Sequence, residues 1–127
     1  MIVLDTSAIV NLLVGDQPRL QLTSRVTTAS SIHAPHLLDT EVVSALRGLV
    51  LDKHLSARRA EAALQDFLDL PVVRYPATPL INEVWRRRGA HTADDATFIA
   101  LAEALGCPLV TCDAKTQRAR GIDVEVF

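Results

Sequence analysis

Short aliphatic runs alternate with amphipathic stretches along the whole chain, and that alternation narrows the folds open to it. "MIVLD" is a β-forming run that ends in a carboxylate. "TSAIVNLLVG" follows it, with Ile9, Leu12 and Leu13 at helical spacing and Gly15 as the stop. The strand signal returns in "SIHAP", "VVRY", "LVTCD" and "DVEVF", with helical segments between them. Strands that alternate with helices assemble into a mostly parallel sheet covered on both faces. The expected fold class is therefore α/β. At 127 residues the chain fits a single domain, 1–127, with no internal repeat, low-complexity segment or linker. Because 49% of the residues are apolar and only 4% aromatic, the core has to be built from Leu, Val, Ile and Ala.

The helical segments carry their own punctuation. One spans about Pro18 to Ala29, and a longer amphipathic helix runs from about Leu37 to Lys53. Ser56 can cap the next, whose stripe of Ala60, Ala63, Leu64, Phe67 and Leu68 ends at Pro71. "TPLINEVWRRRG" begins with a capping Thr78 and with Pro79 in the first turn. It closes on three arginines before Gly89, as a helix dipole favours. "TADDATFIALAEALG", residues 92–106, is a further helix with Gly106 as its stop, and "AKTQRARG" is a short helical turn.

In an open parallel sheet the ligand crevice lies beyond the carboxyl ends of the strands. Asp5 and Asp113 each end an aliphatic strand and precede a helical segment, so both fall on that edge. Two further acids occupy apolar slots. On the long helix Leu38, Glu41, Val42, Ala45, Leu46 and Leu49 form one stripe, with the glutamate inside it. Asp95 shares a face with Phe98, Ile99, Ala102 and Leu105, whereas Asp94 is turned about 100° away, toward water.

Each acid also has a plain structural reading. Asp5 and Asp113 can cap helices and Glu41 can complement a helix dipole. Thr92 to Asp95 matches a capping box in which Asp stands where Glu or Gln serves better. Any acid at a strand-to-helix junction reaches this edge automatically. Two features favour a shared site: the inward slots of Glu41 and Asp95, and the lack of any lysine or arginine within four residues of Asp5 or Asp95. Carboxylates packed within about 4 Å repel by about 4 kcal/mol per pair at an effective dielectric of 20, so such a group needs a cation. An all-oxygen set, with no histidine or thiolate at ligand spacing, suits Mg²⁺ or Mn²⁺ rather than zinc. Such ions generate hydroxide from water and stabilise charge at phosphorus.

Taken in order, "MIVLDTSAIVNLL", "HLLDTEVVSAL", "TADDATFIALAEALG" and "LVTCDAKTQ" resemble the four acidic motifs of PIN domains, specifically of VapC-type toxin ribonucleases, over nearly the whole chain. The resemblance implies a PIN-like three-layer sandwich whose five-stranded parallel sheet, ordered 3-2-1-4-5, is flanked by helices. It implies that Asp5, Glu41, Asp95 and Asp113 are the catalytic quartet, holding one or two Mg²⁺ or Mn²⁺ ions, with the hydroxyls of Thr6 and Thr111 in support. It also implies cleavage of single-stranded RNA, and restraint by a cognate antitoxin protein. A homodimer or a toxin–antitoxin hetero-oligomer is the expected assembly. Asp94 departs from the pattern, since many relatives carry an aromatic residue there; it either alters metal affinity or is solvated surface.

Thirteen basic against 15 acidic residues give a net charge of −2, which does not advertise a nucleic-acid binder. Setting the quartet aside leaves 11 acids against 13 bases, a slightly basic remainder. RNA that approaches four carboxylates needs cations nearby. Arg86, Arg87 and Arg88, a short loop ahead of Asp95, are the densest candidates, with a solvated helix end as the alternative. Arg47, Lys115 and Arg118 are weaker ones. His33 and His36 lack further ligands and are expected on the surface or in loops. Trp85 reads as partly buried packing; exposed, it would suit a dimer contact or a base-stacking platform. The apolar surfaces of the Pro18–Ala29 helix and of the helix after Ser56 form a candidate groove for an antitoxin or a second copy.

No stretch approaches the roughly 18 apolar residues of a membrane span, and Met1 enters "IVLD" without a basic leader, so a soluble cytoplasmic protein is expected. Cys107 and Cys112 flank a strand about 16 Å long, beyond disulfide reach, and are expected to be reduced. A receiver-like Mg²⁺-binding signalling domain would need a lysine after its last strand, where this chain stops at Phe127. A dinucleotide-binding module would need a glycine-rich first turn, where the residues are "DTSA". A catalytically inactive PIN fold that serves only as a binding module is the remaining rival, and the intact acids stand against it.

Overall fold

The computed structural model describes residues 1–17 and 19–127. All five expected strands form: β1 (Ile2–Leu4), β2 (Ile32–Pro35), β3 (Val72–Tyr75), β4 (Leu109–Thr111) and β5 (Val124–Val126). Every pairing is parallel and the order is β3-β2-β1-β4-β5, the 3-2-1-4-5 arrangement that the motifs imply. Ile2 sits opposite Ile32, and Val3 is flanked by His33 on one side and Leu109 on the other. Ile2, Val3 and Leu4 are all fully buried, which is why this central strand reads as an unbroken aliphatic run rather than an alternation.

Among the described residues six α-helices cover the sheet: α1 (Thr6–Val14), α2 (Leu20–Thr27), α3 (Leu37–Leu51), α4 (Ala57–Asp69), α5 (Ile81–Arg86) and α6 (Ala93–Leu105). From β1 to β3 the chain winds one way; the connection from β3 returns it past β1 to β4. Right-handed crossovers therefore put α1–α4 on one face and α5–α6 on the other. α6 lies along β1, β2 and β4, and every residue from Ala96 to Ala102 is buried, so it has no polar flank to mark its orientation. Phe67 anchors α4 to the core; burying such a side chain contributes about 1.5–3 kcal/mol.

Local chemistry sets the helix ends. Asp5 caps α1 by accepting from the Ala8 N–H, Ser56 caps α4 through the Arg59 N–H, and Thr92 caps α6 through the Asp95 N–H. α6 ends on Gly106, whose φ of 62° is the left-handed turn that favours glycine. α3 stops at Leu51 rather than Lys53, because Lys53 turns to φ 59°. The expected helix start at Pro18 lies outside the described residues, and α2 runs from Leu20 to Thr27. The Thr78–Gly89 segment is not one helix. A 3₁₀ turn, Thr78–Leu80, holds Pro79 and buries Leu80, and α5 follows; Thr78 makes no side-chain cap.

Four expectations about side chains need correction. His33 is buried within β2, where Nε2 lies 2.8 Å from Ser31 Oγ and Nδ1 lies 2.8 Å from the Tyr75 hydroxyl. Burial, helped by the N-terminal ammonium, pushes its pKa down; His36 is exposed, as expected. Trp85 is 65% exposed rather than packed, because α5 buries Val84 instead. Leu68 is exposed, while Ala63 and Phe67 carry the α4 core face. The apolar groove lies between α3 and α4, along Val43, Leu46, Val50, Ala60 and Leu64, because α2 packs against α1 instead. Both cysteines are free thiols, and among the described residues no helix is long and apolar enough to cross a membrane.

Candidate active site

The strand order reverses its direction of growth between β1 and β4, and there the flanking helices part to leave a crevice at the carboxyl ends. A cleft of about 370 Å³ opens at this point. Asp5 from the end of β1, Glu41 from α3, Asp95 from the first turn of α6 and Asp113 just past β4 all line it. Val10, Ala45 and Phe98 supply apolar wall. Asp94 is exposed and lies outside the lining, on the side of α6 that the helical spacing assigns to it.

Asp5 is the most constrained of the four. Its Oδ1 accepts from Ser7 Oγ at 2.7 Å and from the Ala8 N–H at 3.0 Å, and its Oδ2 accepts from Thr111 Oγ1 at 2.5 Å. Burial pushes its pKa up, the hydrogen bonds from Thr111, Ala8 and Ser7 offset part of that, and the Asp113 charge adds to it. Glu41 Oε1 accepts from Thr6 Oγ1 at 2.8 Å. Burial raises Glu41 too, against the Thr6 hydrogen bond and with the help of the charges on Asp94, Asp95 and Asp5. The acids therefore sense one another electrostatically.

The roles of two contributors escape a reading of the sequence alone, which offers Lys115 only as a weaker candidate for RNA contact. Ser7 ties the strand ends together, since its hydroxyl donates to Asp5 and accepts from the Cys112 N–H at 2.9 Å. The only local signal was a second hydroxyl two residues after Asp5. Lys115 is the other. Its Nζ stands 3.3 Å from Asp95 Oδ2 and 3.5 Å from Asp113 Oδ2, so Asp95, without a basic neighbour in sequence, acquires one through the fold. Burial would lower the Lys115 pKa, but Asp95 and Asp113 outweigh it and hold it above the ordinary value.

The arginine run behaves as three separate residues. Arg87 is 11% exposed and meets Glu83 at 3.1 Å, Glu103 at 2.7 Å and the Arg120 carbonyl at 3.0 Å. Arg86 is exposed and pairs with Glu83, and Arg88 lies over the Trp85 ring. None of the three lines the cleft, and neither does Arg47 or Arg118.

The donor set fits a hard divalent cation. Four carboxylates face a single lining ammonium, every other polar group on the wall is a hydroxyl or amide, and the Lys115 Nζ already bridges two of the acids as a cation. Among the described residues no three acidic, histidine or cysteine groups converge tightly enough to enclose an ion with their side chains as they stand. The quartet is gathered at one cleft rather than closed around one point.

The comparisons agree with this architecture. The PIN domain family model matches residues 2–122. Ribonuclease VapC12 of Mycobacterium tuberculosis is 36% identical over 126 residues, covering 99% of this chain and 97% of its own. Among solved structures, the Mycobacterium tuberculosis toxin VapC20, described as cleaving the sarcin–ricin loop, superposes with a TM-score of 0.72 at 19% identity, covering 98% of this chain and 99% of that one. A toxin–antitoxin complex from Klebsiella pneumoniae gives 0.63 at 16%, covering 96% and 95%. With a parallel sheet in 3-2-1-4-5 order, an acidic cleft at its switch point and family-level similarity end to end, the chain belongs to the PIN-domain family and, within it, to the VapC group.

Proposed function

We propose that this protein is a divalent-metal-dependent endoribonuclease, the toxin of a toxin–antitoxin pair, which hydrolyses RNA phosphodiester bonds in the cleft beyond β1 and β4. The observation that carries the reading is the convergence of Asp5, Glu41, Asp95 and Asp113, from four separate elements, on one cleft. Asp5, Asp95 and Asp113 would hold Mg²⁺ or Mn²⁺, and Glu41 would complete a second site or orient water. When bound, the ion supplies Lewis-acid activation of water and charge stabilisation at phosphorus.

The protein's own part is to hold these groups ready. Thr111 and Ser7 hold the two Asp5 oxygens and Thr6 holds Glu41, so these two carboxylates are oriented before metal or substrate arrives. Val10, Ala45 and Phe98 give the cleft an apolar wall beside the acids. In-line hydrolysis that releases the 3′ oxygen leaves 5′-phosphate and 3′-hydroxyl ends. Arg86 and Arg88, both exposed, are the proposed phosphate contacts, with Arg87 holding the segment that presents them. RNA as substrate is supported by the ribonuclease relative, and an antitoxin protein as partner by the similarity to the Klebsiella complex.

Purified protein incubated with total RNA is expected to yield 5′-phosphorylated fragments with Mn²⁺, and none with EDTA or with an Asp95→Asn variant. Cleavage that ignores chelation would overturn the reading.

A further inference from the structure

Among the described residues lining the acidic cleft, Lys115 is the only basic one. Its ammonium lies between Asp95 on α6 and Asp113 beyond β4, at 3.3 and 3.5 Å. Its backbone is anchored to the same place, for the Lys115 N–H donates to Asp113 Oδ1 at 3.0 Å. The side chain thus leaves one oxygen of Asp113 and returns to the other. Neither contact has the 2.7–2.9 Å length of a tight charge-assisted hydrogen bond, and 58% of the side chain is exposed. A lysine is a compact charge on a flexible stem, held here closely enough to neutralise and loosely enough to withdraw.

An ammonium and a divalent ion cannot stand between the same two carboxylate oxygens. We propose that Lys115 is a resident counter-cation: it neutralises Asp95 and Asp113 before metal arrives and is displaced by the incoming ion, so that the protein binds metal more weakly than its acids alone would. The proposal rests on the reading of this cleft as a metal centre. It assigns Lys115 to setting the metal concentration at which the site fills. Arg118, exposed on the following turn and outside the cleft lining, carries the same charge without the contact.

The test is a titration of EDTA-dialysed protein with Mn²⁺, counting free ion by its electron paramagnetic resonance signal, on the wild type, Lys115→Met and Arg118→Met. Lys115→Met is expected to bind Mn²⁺ about tenfold more tightly than the wild type, equivalent to about 1.4 kcal/mol. Arg118→Met is expected to stay within about twofold. In thermal unfolding, metal-free Lys115→Met should melt below the wild type and gain more from saturating Mn²⁺. Equal Mn²⁺ affinity in the wild type and Lys115→Met, or an equal gain in Arg118→Met, would overturn the counter-cation and leave the metal centre standing. No Mn²⁺ binding by either the wild type or Lys115→Met would overturn both.

Discussion

The Thr111 hydroxyl stands 2.5 Å from Asp5 Oδ2, joining the ends of β4 and β1 across 106 positions of sequence. Thr111 Oγ1 in turn accepts from the Asp113 N–H at 2.9 Å, and Thr111 is fully buried. One side chain therefore sets the relative position of two of the four acids. Thr111→Val keeps the approximate shape but strands a carboxylate oxygen and a backbone N–H, which costs about 1–3 kcal/mol. Urea denaturation should show that loss, and Thr111→Ser should recover most of it. An unchanged midpoint in Thr111→Val would mean that the hydroxyl is not holding Asp5.

Burial raises both Asp5 and Glu41, and that ties stability to pH in a definite sense. The folded protein keeps protons that the unfolded chain has released, so it binds more of them. The contribution of these two groups is then fully present below their unfolded values of about 4 and is lost as pH rises through the folded ones. Asn at position 5 still offers a cap acceptor to the Ala8 N–H. In EDTA, an Asp5→Asn/Glu41→Gln variant should therefore gain in melting temperature relative to the wild type between pH 4 and pH 8. Mn²⁺ should restore the wild type alone, by binding the ionised carboxylates. A melting-temperature difference that stays flat across this range would refute the linkage.

Arg87 should separate from its neighbours by what it supports. It is the least exposed member of the run, donating to Glu103 on α6 and to the Arg120 carbonyl and forming an ion pair with Glu83 on α5. Arg87→Met is expected to cost about 2–3 kcal/mol in unfolding, since hydrogen bonds to charged groups are lost. Arg86→Met and Arg88→Met should stay within about 0.5 kcal/mol. In an Asp95→Asn background, each of the latter two should instead lower RNA affinity and reduce the salt slope by about 1. An unaltered salt slope in both would remove them from the RNA path.

These differences follow from what a local pattern can encode. The strands were readable because each is short, aliphatic and bounded, and Glu41 was readable because an acid interrupts an otherwise apolar stripe on α3. Neighbours brought together by the fold were not. His33 is satisfied by Tyr75 from β3, and Asp95 meets Lys115 from beyond β4. The orientation of α5 was equally hidden: an isolated aromatic near a helix end carries no periodicity strong enough to choose between Val84 and Trp85 for the core. The uninterrupted burial of α6 likewise left its Asp95 face to be inferred from spacing, and there the spacing sufficed.

Trp85 offers a spectroscopic check on the orientation of α5, because it is the only tryptophan in the chain. The residue is 65% exposed, the Arg88 guanidinium lies 4.4 Å from its ring centroid, and Ile81 one turn earlier is 53% exposed. Dilute protein should show water-like emission that acrylamide quenches readily, and Trp85→Ala should change stability by no more than about 0.5 kcal/mol. A blue-shifted, protected emission in the monomer would contradict the placement of α5. The same probe distinguishes two uses of an exposed aromatic. Self-association through this face shifts the emission to the blue as protein concentration rises, whereas stacking of a nucleobase quenches it on addition of single-stranded RNA to the Asp95→Asn variant.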